Sequence, residues 1–340
     1  MRKCFLLHKA QVGVLALLLL LSFSACSAPS GQSDHSQADN HSARADSAED
    51  VLAEQEAESD DGRIAAPEVG ATTVASASVT PDEQQQFFLW EVGNVPHTTD
   101  YTVNDRGYFD DPDFRPYLTS YPVPEGTEVK GAVLICPGGA FQFRSDQPEG
   151  VEVAEALSER GYQSFVVDYR LRPYTQQEGA VDLARAVRFV RAHADDYGIA
   201  LDDIAVMGFS AGGILSGEML LNFDGDVNGT ALDANYVLDA LDQVSADAAA
   251  CGMIYSFYGR LSVGTTDVDL LASGELPPTF YCYGTEDSFY EQFLANADAA
   301  EVAGVSVERL QLDDYPHGFG VRGDWIPTYD SWLEGIFTEA

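Results

Sequence analysis

The feature that most constrains this chain is a serine held between small residues, Gly208-Phe209-Ser210-Ala211-Gly212. It lies between an apolar, strand-like run at residues 203–207 and a helical pattern at 212–221. A serine at a sharp strand-to-helix turn takes a strained backbone, and the positions two residues away must be small for that turn to close. The two glycines meet this requirement. The ordinary alternative is a chance Gly/Ser turn. The strand before, the helix after and a third glycine at Gly213 weigh against it.

The rest of the chain supplies the matching frame. Residues 131–136 form an apolar, β-branched run closed by Pro137-Gly138-Gly139, and residues 151–160 have helical spacing that stops at Gly161. Strand patterns follow at 163–167, 249–255, 278–283 and 305–312. A long amphipathic helix is predicted over 180–197, another around 289–303, and a closing helix from Pro327. Strands alternating with helices predict an α/β architecture, a doubly wound, mostly parallel sheet flanked by helices. Ligands on such sheets bind at the carboxyl ends of the strands, where each candidate below falls.

A serine hydroxyl needs a base, and histidine suits neutral pH. Of six histidines, His8, His35 and His41 lie in the N-terminal segments, His97 precedes the main sheet, and His193 lies in the long helix, where a solvated position is expected. His317 follows the last strand, in Tyr-Pro-His-Gly-Phe-Gly, and is the expected base. The carboxylate that orients it should come between serine and histidine in the chain. Asp287, just after the strand at 278–283, is chosen ahead of Glu286; Asp313 and Asp314 sit too close to His317 to reach around to its ring. The oxyanion donors expected are the backbone N–H groups of Ala211, after the nucleophile, and of Gly139 and Ala140, ahead of Gly138. Surface acidity is the bland alternative for any single acid in this chain.

Composition bounds the remainder. The 340 residues carry 18 basic and 55 acidic side chains, a formal charge of −37. Such a surface excludes nucleic acid as a partner and disfavours uronate-rich polymers. Arg2, Lys3 and Lys9 precede a short apolar run, and Phe23-Ser24-Ala25-Cys26 follows. This reads as an export signal over residues 1–26. Residues 27–85 hold no Phe, Trp or Tyr and accumulate Ser, Ala, Asp and Glu, so they are expected to be a disordered acidic tether, with the folded domain spanning 86–340. Cys136, Cys251 and Cys282 fall in strand-like runs and read as small buried hydrophobes. No spacing points to a metal, and no nicotinamide or phosphate-loop signature points to a cofactor.

The stretches ICPGGAF, VDYRL, DDIAVMGFSAGG, PPTFYCYGTED and PHGFG, in that order over most of residues 128–320, resemble the acetyl esterase/lipase group of α/β-hydrolases, and within it the xylan-acetylesterase-like carbohydrate esterases. The resemblance implies the α/β-hydrolase fold, a Ser210–Asp287–His317 triad, and Asp168 and Arg170 as structural supports of the oxyanion loop. The chain departs from it in Ala140, where a third glycine is common, and in Pro137, where related lipases have histidine. The end of the signal resembles a bacterial lipobox, with Phe23 where leucine is usual, which implies lipid on Cys26 and a membrane-anchored place in the cell envelope, outside the cytoplasm. The expectation is a serine carboxylesterase that removes small acyl groups, acetyl above all, from carbohydrate or small esters. The alternatives are a peptidase of the same fold and a non-catalytic binding lipoprotein. Residues 222–245 are open to a role in a cap.

Overall fold

The computed structural model describes residues 73–339. The expected signal with Cys26, and the expected tether as far as residue 72, lie outside the described residues. Two strands come first, β1 (Gln86–Phe88) and β2 (Tyr117–Tyr121). They are followed by β3 (Gly131–Cys136), α1 (Glu152–Ser158), β4 (Tyr162–Asp168), α2 (Gln176–Ala192) and the short α3 (Ala194–Tyr197). Next are β5 (Ile204–Phe209), α4 (Ala211–Asn222), β6 (Ala250–Ile254), the paired strands β7 (Gly259–Arg260) and β8 (Val263–Gly264), and α5 (Val268–Ser273). The chain closes with β9 (Thr279–Gly284), α6 (Tyr290–Val302), β10 (Val307–Leu312) and α7 (Ile326–Glu339).

Eight strands form one sheet in the order β1-β2-β4-β3-β5-β6-β9-β10. All pairs from β4 to β10 are parallel, and the pairs β1–β2 and β2–β4 are antiparallel. Every residue of β3, β4, β5, β6 and β9 is buried, because helices cover both faces of a parallel sheet. That is why β3, β5 and β6 read as near-continuous apolar runs, while β4 carries Gln163, Ser164 and Asp168 within the buried layer. The edge strand β10 is only partly buried and alternates with polar residues. With β5 at the centre, its carboxyl end opens between the loops after β3 and β6.

Helix α2 starts at a capping box: the Thr175 hydroxyl accepts from the Glu178 N–H, and the Glu178 carboxylate accepts from the Thr175 N–H. The single helix expected over 180–197 is broken at His193, whose φ of −109° and ψ of 20° separate α2 from α3. His193 is also less solvated than expected. Its ring packs on Phe189 and its Nδ1 lies 2.7 Å from Asp196, a contact made locally within the turn.

Two readings of organisation change. Part of the expected tether belongs to the fold: Val74 is buried in the core, Thr73 bridges to Phe88, and Gln85 exchanges hydrogen bonds with Ser120 on β2. Residues 222–245 do not cap the strand ends. They pack on α2, where Arg185 pairs with Asp239 and Arg188 donates to the carbonyls of Gly225, Val227 and Val244. Buried cations at the helix surface demand such acceptors, which draws this polar segment to that flank. Cys136, Cys251 and Cys282 are free and buried, and burial pushes all three thiols up, Cys251 to about 12.

Candidate active site

Ser210 follows β5 directly and opens α4, with φ 47° and ψ −117°, a conformation that L-residues seldom adopt. Its neighbours explain how the turn closes. A Cβ on Gly208 would lie 2.3 Å from the backbone of Gly212 and Gly213, and one on Gly212 would lie 2.0 Å from the Cys136 carbonyl oxygen. No other residue fits either position. The Ser210 N–H donates to the Ile254 carbonyl at 3.1 Å, which ties the turn to β6.

Two side chains from distant loops meet this serine. His317, in the loop after β10, places Nε2 2.9 Å from Ser210 Oγ. Asp287, in the loop after β9, places Oδ2 2.6 Å from His317 Nδ1. The second Asp287 oxygen accepts from the Phe289 N–H at 2.8 Å, so the carboxylate is held on both sides within a buried loop. Glu286 is exposed and its side chain takes no part; its N–H donates to the Tyr315 carbonyl. Asp313 and Asp314 are exposed as well. The imidazole packs edgewise against Tyr255 and Phe289, with ring centroids 4.9 and 5.8 Å away.

The loop after β3 faces the serine. The Gly138 N–H is engaged, donating to the buried Glu149 carboxylate at 2.7 Å. Gly139 and Ala140 follow at the bend, where Ala140 and Phe141 both have positive φ, a local strain of the kind found at ligand-binding turns. The Ala211 N–H lies at the first turn of α4, next to the nucleophile. The loop is held by the Tyr169 hydroxyl on the Pro137 carbonyl at 2.6 Å, and by the Arg172 N–H on the Phe141 carbonyl at 2.8 Å. Asp168 supports it through Arg144, whose guanidinium also binds Asp110 and the Tyr169 carbonyl. Burial pushes the Asp168 carboxyl up to about 6, against the pull of Arg144. Arg170 does something else: it binds Asp182 and the carbonyls of Pro96 and Glu178, fixing the start of α2 rather than this loop.

A narrow pocket opens at the serine, walled by Ala140, Ile214, Tyr255, Phe257, Leu261 and Phe289. Its volume of about 20 Å³ leaves room for a small group only. These walls were not legible in the sequence, nor was Glu149. The Tyr255 hydroxyl donates to Glu149, and Glu149 in turn accepts from Gly138, so histidine packing and oxyanion loop share one buried carboxylate. The π-helical turn Gln147–Val151 that carries Glu149 has no sequence signal distinguishing it from the start of α1.

Comparison with known proteins agrees with this architecture. Residues 121–265 match the BD-FAE family model. An acetylxylan esterase of Xylanibacter ruminicola is 25% identical over 215 residues, which is 60% of this chain and 44% of that protein. The chain thus spans less than half the length of the curated relatives it matches. Among solved structures, the acetyl ester-xyloside bifunctional hydrolase of Caldicellulosiruptor lactoaceticus superposes with a TM-score of 0.54 at 25% identity, covering 80% of this chain and 98% of that one. A thermophilic esterase of Thermogutta terrifontis shares the fold with a TM-score of 0.52 at 22% identity, over 66% of this chain and 89% of that one. With its mostly parallel eight-stranded sheet, the chain has the α/β-hydrolase fold, and the proteins it resembles include carboxylic ester hydrolases.

Proposed function

We propose that this protein is a serine carboxylesterase that removes acetyl groups from carbohydrate esters through an acyl-enzyme on Ser210. The reading rests above all on the unbroken chain of hydrogen bonds from Ser210 through His317 to Asp287, opening on a pocket sized for a small acyl group. His317 Nε2 takes the Ser210 proton as Oγ attacks the ester carbonyl. The N–H groups of Gly139, Ala140 and Ala211 receive the oxyanion of the tetrahedral intermediate. Its collapse breaks the bond to the sugar oxygen, which leaves with the proton from His317. A water then gives its proton to His317 and attacks the acyl-enzyme, releasing acetate and the free serine. Asp287 keeps the imidazole proton on Nδ1 and stabilises the imidazolium in both halves.

The xylan-related names of the relatives favour an acetylated sugar as the alcohol part. Lipid on Cys26 would hold the enzyme at the cell envelope, facing its substrate from outside the cytoplasm. The test is a panel of p-nitrophenyl acetate, butyrate and octanoate beside acetylated xylan and a feruloyl ester, with wild-type protein and Ser210→Ala. The proposal expects acetate release from xylan and a loss of several orders of magnitude in Ser210→Ala. A folded Ser210→Ala protein with wild-type turnover refutes it.

A further inference from the structure

Beside the serine pocket lies a much wider cleft, about 510 Å³ against about 20 Å³. The two share Leu261 as a wall, and Ala140 of the pocket is followed in the chain by Phe141 of the cleft. The cleft is therefore within reach of the alcohol part of a substrate whose acyl group enters the pocket. The charge of this cleft is unlike that of the chain. In a protein of net charge −37, it is lined by Arg106, Arg172 and Arg260 and by no carboxylate.

Two of these cations stand apart among the described residues. Every other described lysine and arginine is engaged by a carboxylate or carbonyl, Arg106 by Asp105 at 3.8 Å. Among the described residues, the guanidinium groups of Arg172 and Arg260 have no hydrogen-bond or ion-pair partner. Arg172 is half-buried, and its backbone is fixed by the bond to Phe141, so its position is set by the oxyanion loop. Tyr108 and Tyr174 line the same cleft, and Tyr174 is steadied by the edge of Tyr101 and by Arg170 beneath it. Fixed aromatic faces flanking free guanidinium forks suit a sugar ring that carries a planar anion, since arginine binds carboxylates bidentately.

Building on the esterase reading above, we propose that this cleft is a subsite for a carboxylate on the substrate, so that the ester cut at Ser210 belongs to an acetylated sugar chain bearing a uronic acid. The strongly negative surface would repel such a chain elsewhere, and the cleft supplies the local reversal of field that admits it in one orientation.

The first test does not depend on turnover. Calorimetry would compare full-length wild type and the Arg172→Gln/Arg260→Gln double variant, using deacetylated xylo-oligosaccharides with and without a glucuronic acid branch. Wild type should bind the acidic ligand at least about tenfold more tightly, as charge-assisted hydrogen bonds predict, and 1 M salt should remove the preference. The double variant should lose it. Equal binding of the two ligands, or a preference that survives the double substitution, overturns the proposal. Tighter binding of a sulfated xylo-oligosaccharide overturns the assignment to carboxylate. The second test is the ratio of kcat/KM for acetylated acidic and neutral oligosaccharides. The ratio should fall about tenfold in the double variant, chiefly through KM, whereas a merely structural effect lowers both values and leaves the ratio intact. Acidic binding without hydrolysis of any acetyl ester would sink the esterase reading and leave the subsite standing; hydrolysis with no acidic preference would do the reverse.

Discussion

Replacing Asp287 with asparagine tests the site most sharply, because the structure shows what the amide must do. Asp287 accepts two hydrogen bonds, from His317 Nδ1 at 2.6 Å and from the Phe289 N–H at 2.8 Å. Asparagine has only one oxygen. If that oxygen stays on Phe289, the amide NH₂ faces Nδ1 and forces the imidazole proton onto Nε2. Nε2 is the atom 2.9 Å from Ser210 Oγ, and once protonated it has no lone pair for the serine proton. If the amide turns instead, its NH₂ confronts the Phe289 N–H, and a buried unpaired donor costs about 1–3 kcal/mol. The imidazolium formed in the reaction also loses its charged partner, about 1.5–3 kcal/mol more. The sum, about 3–6 kcal/mol, corresponds to roughly 10²–10⁴ in rate. The assay is kcat on p-nitrophenyl acetate at neutral pH for purified Asp287→Asn, with Glu286→Gln as the neighbour control and circular dichroism as the check on folding. Glu286 is exposed, so its substitution should cost less than about tenfold. A folded Asp287→Asn protein within tenfold of wild type, or the reverse ranking of the pair, refutes the reasoning.

Other perturbations probe other parts. Gly212→Ala should destabilise the fold by more than about 3 kcal/mol in chemical denaturation, since the new methyl meets the Cys136 and Pro137 carbonyls, which are backbone and cannot swing aside. Glu149→Gln leaves one acceptor for both the Gly138 N–H and the Tyr255 hydroxyl; kcat should fall about tenfold with KM little changed, and an unchanged kcat would remove Glu149 from the positioning of the loop. Phe289→Ala should widen the acyl pocket and raise the butyrate-to-acetate rate ratio about tenfold, a methylene in an apolar pocket being worth that much. Cys26→Ser should move the protein from the membrane fraction to the soluble one, and a wild-type protein already free of lipid contradicts the anchor.

What was legible in the sequence was whatever is encoded locally. The elbow carries its own signature because strand, strained serine and helix are consecutive. Asp287 could be chosen because it follows a strand whose apolar run marks its end, and His317 because it alone of six histidines follows the last strand. The antiparallel strands β1 and β2 were missed because they are short and mix polar with aromatic residues, and their pairing depends on β4, which lies far along the chain. Glu149 was hidden for a different reason: among 55 acids, one that is buried beneath a glycine loop looks like all the others until the loop is folded over it. The cleft arginines were invisible in the same way, since a net charge averages over the whole surface and Arg172 and Arg260 come together only across the sheet's carboxyl end.

The three cysteines have a consequence for where this domain can work. Oxidants and disulfide exchange act on the thiolate, and burial in β3, β6 and β9 keeps Cys136, Cys251 and Cys282 both protonated and out of reach. The described domain holds no disulfide for a reductant to open and no exposed thiol for an oxidant to close. Once the domain is folded, these three thiols therefore offer no handle to reductant or oxidant. Before folding the same three thiols are open to oxidation, so it is the folded state alone that shields them from glutathione and disulfide-forming enzymes.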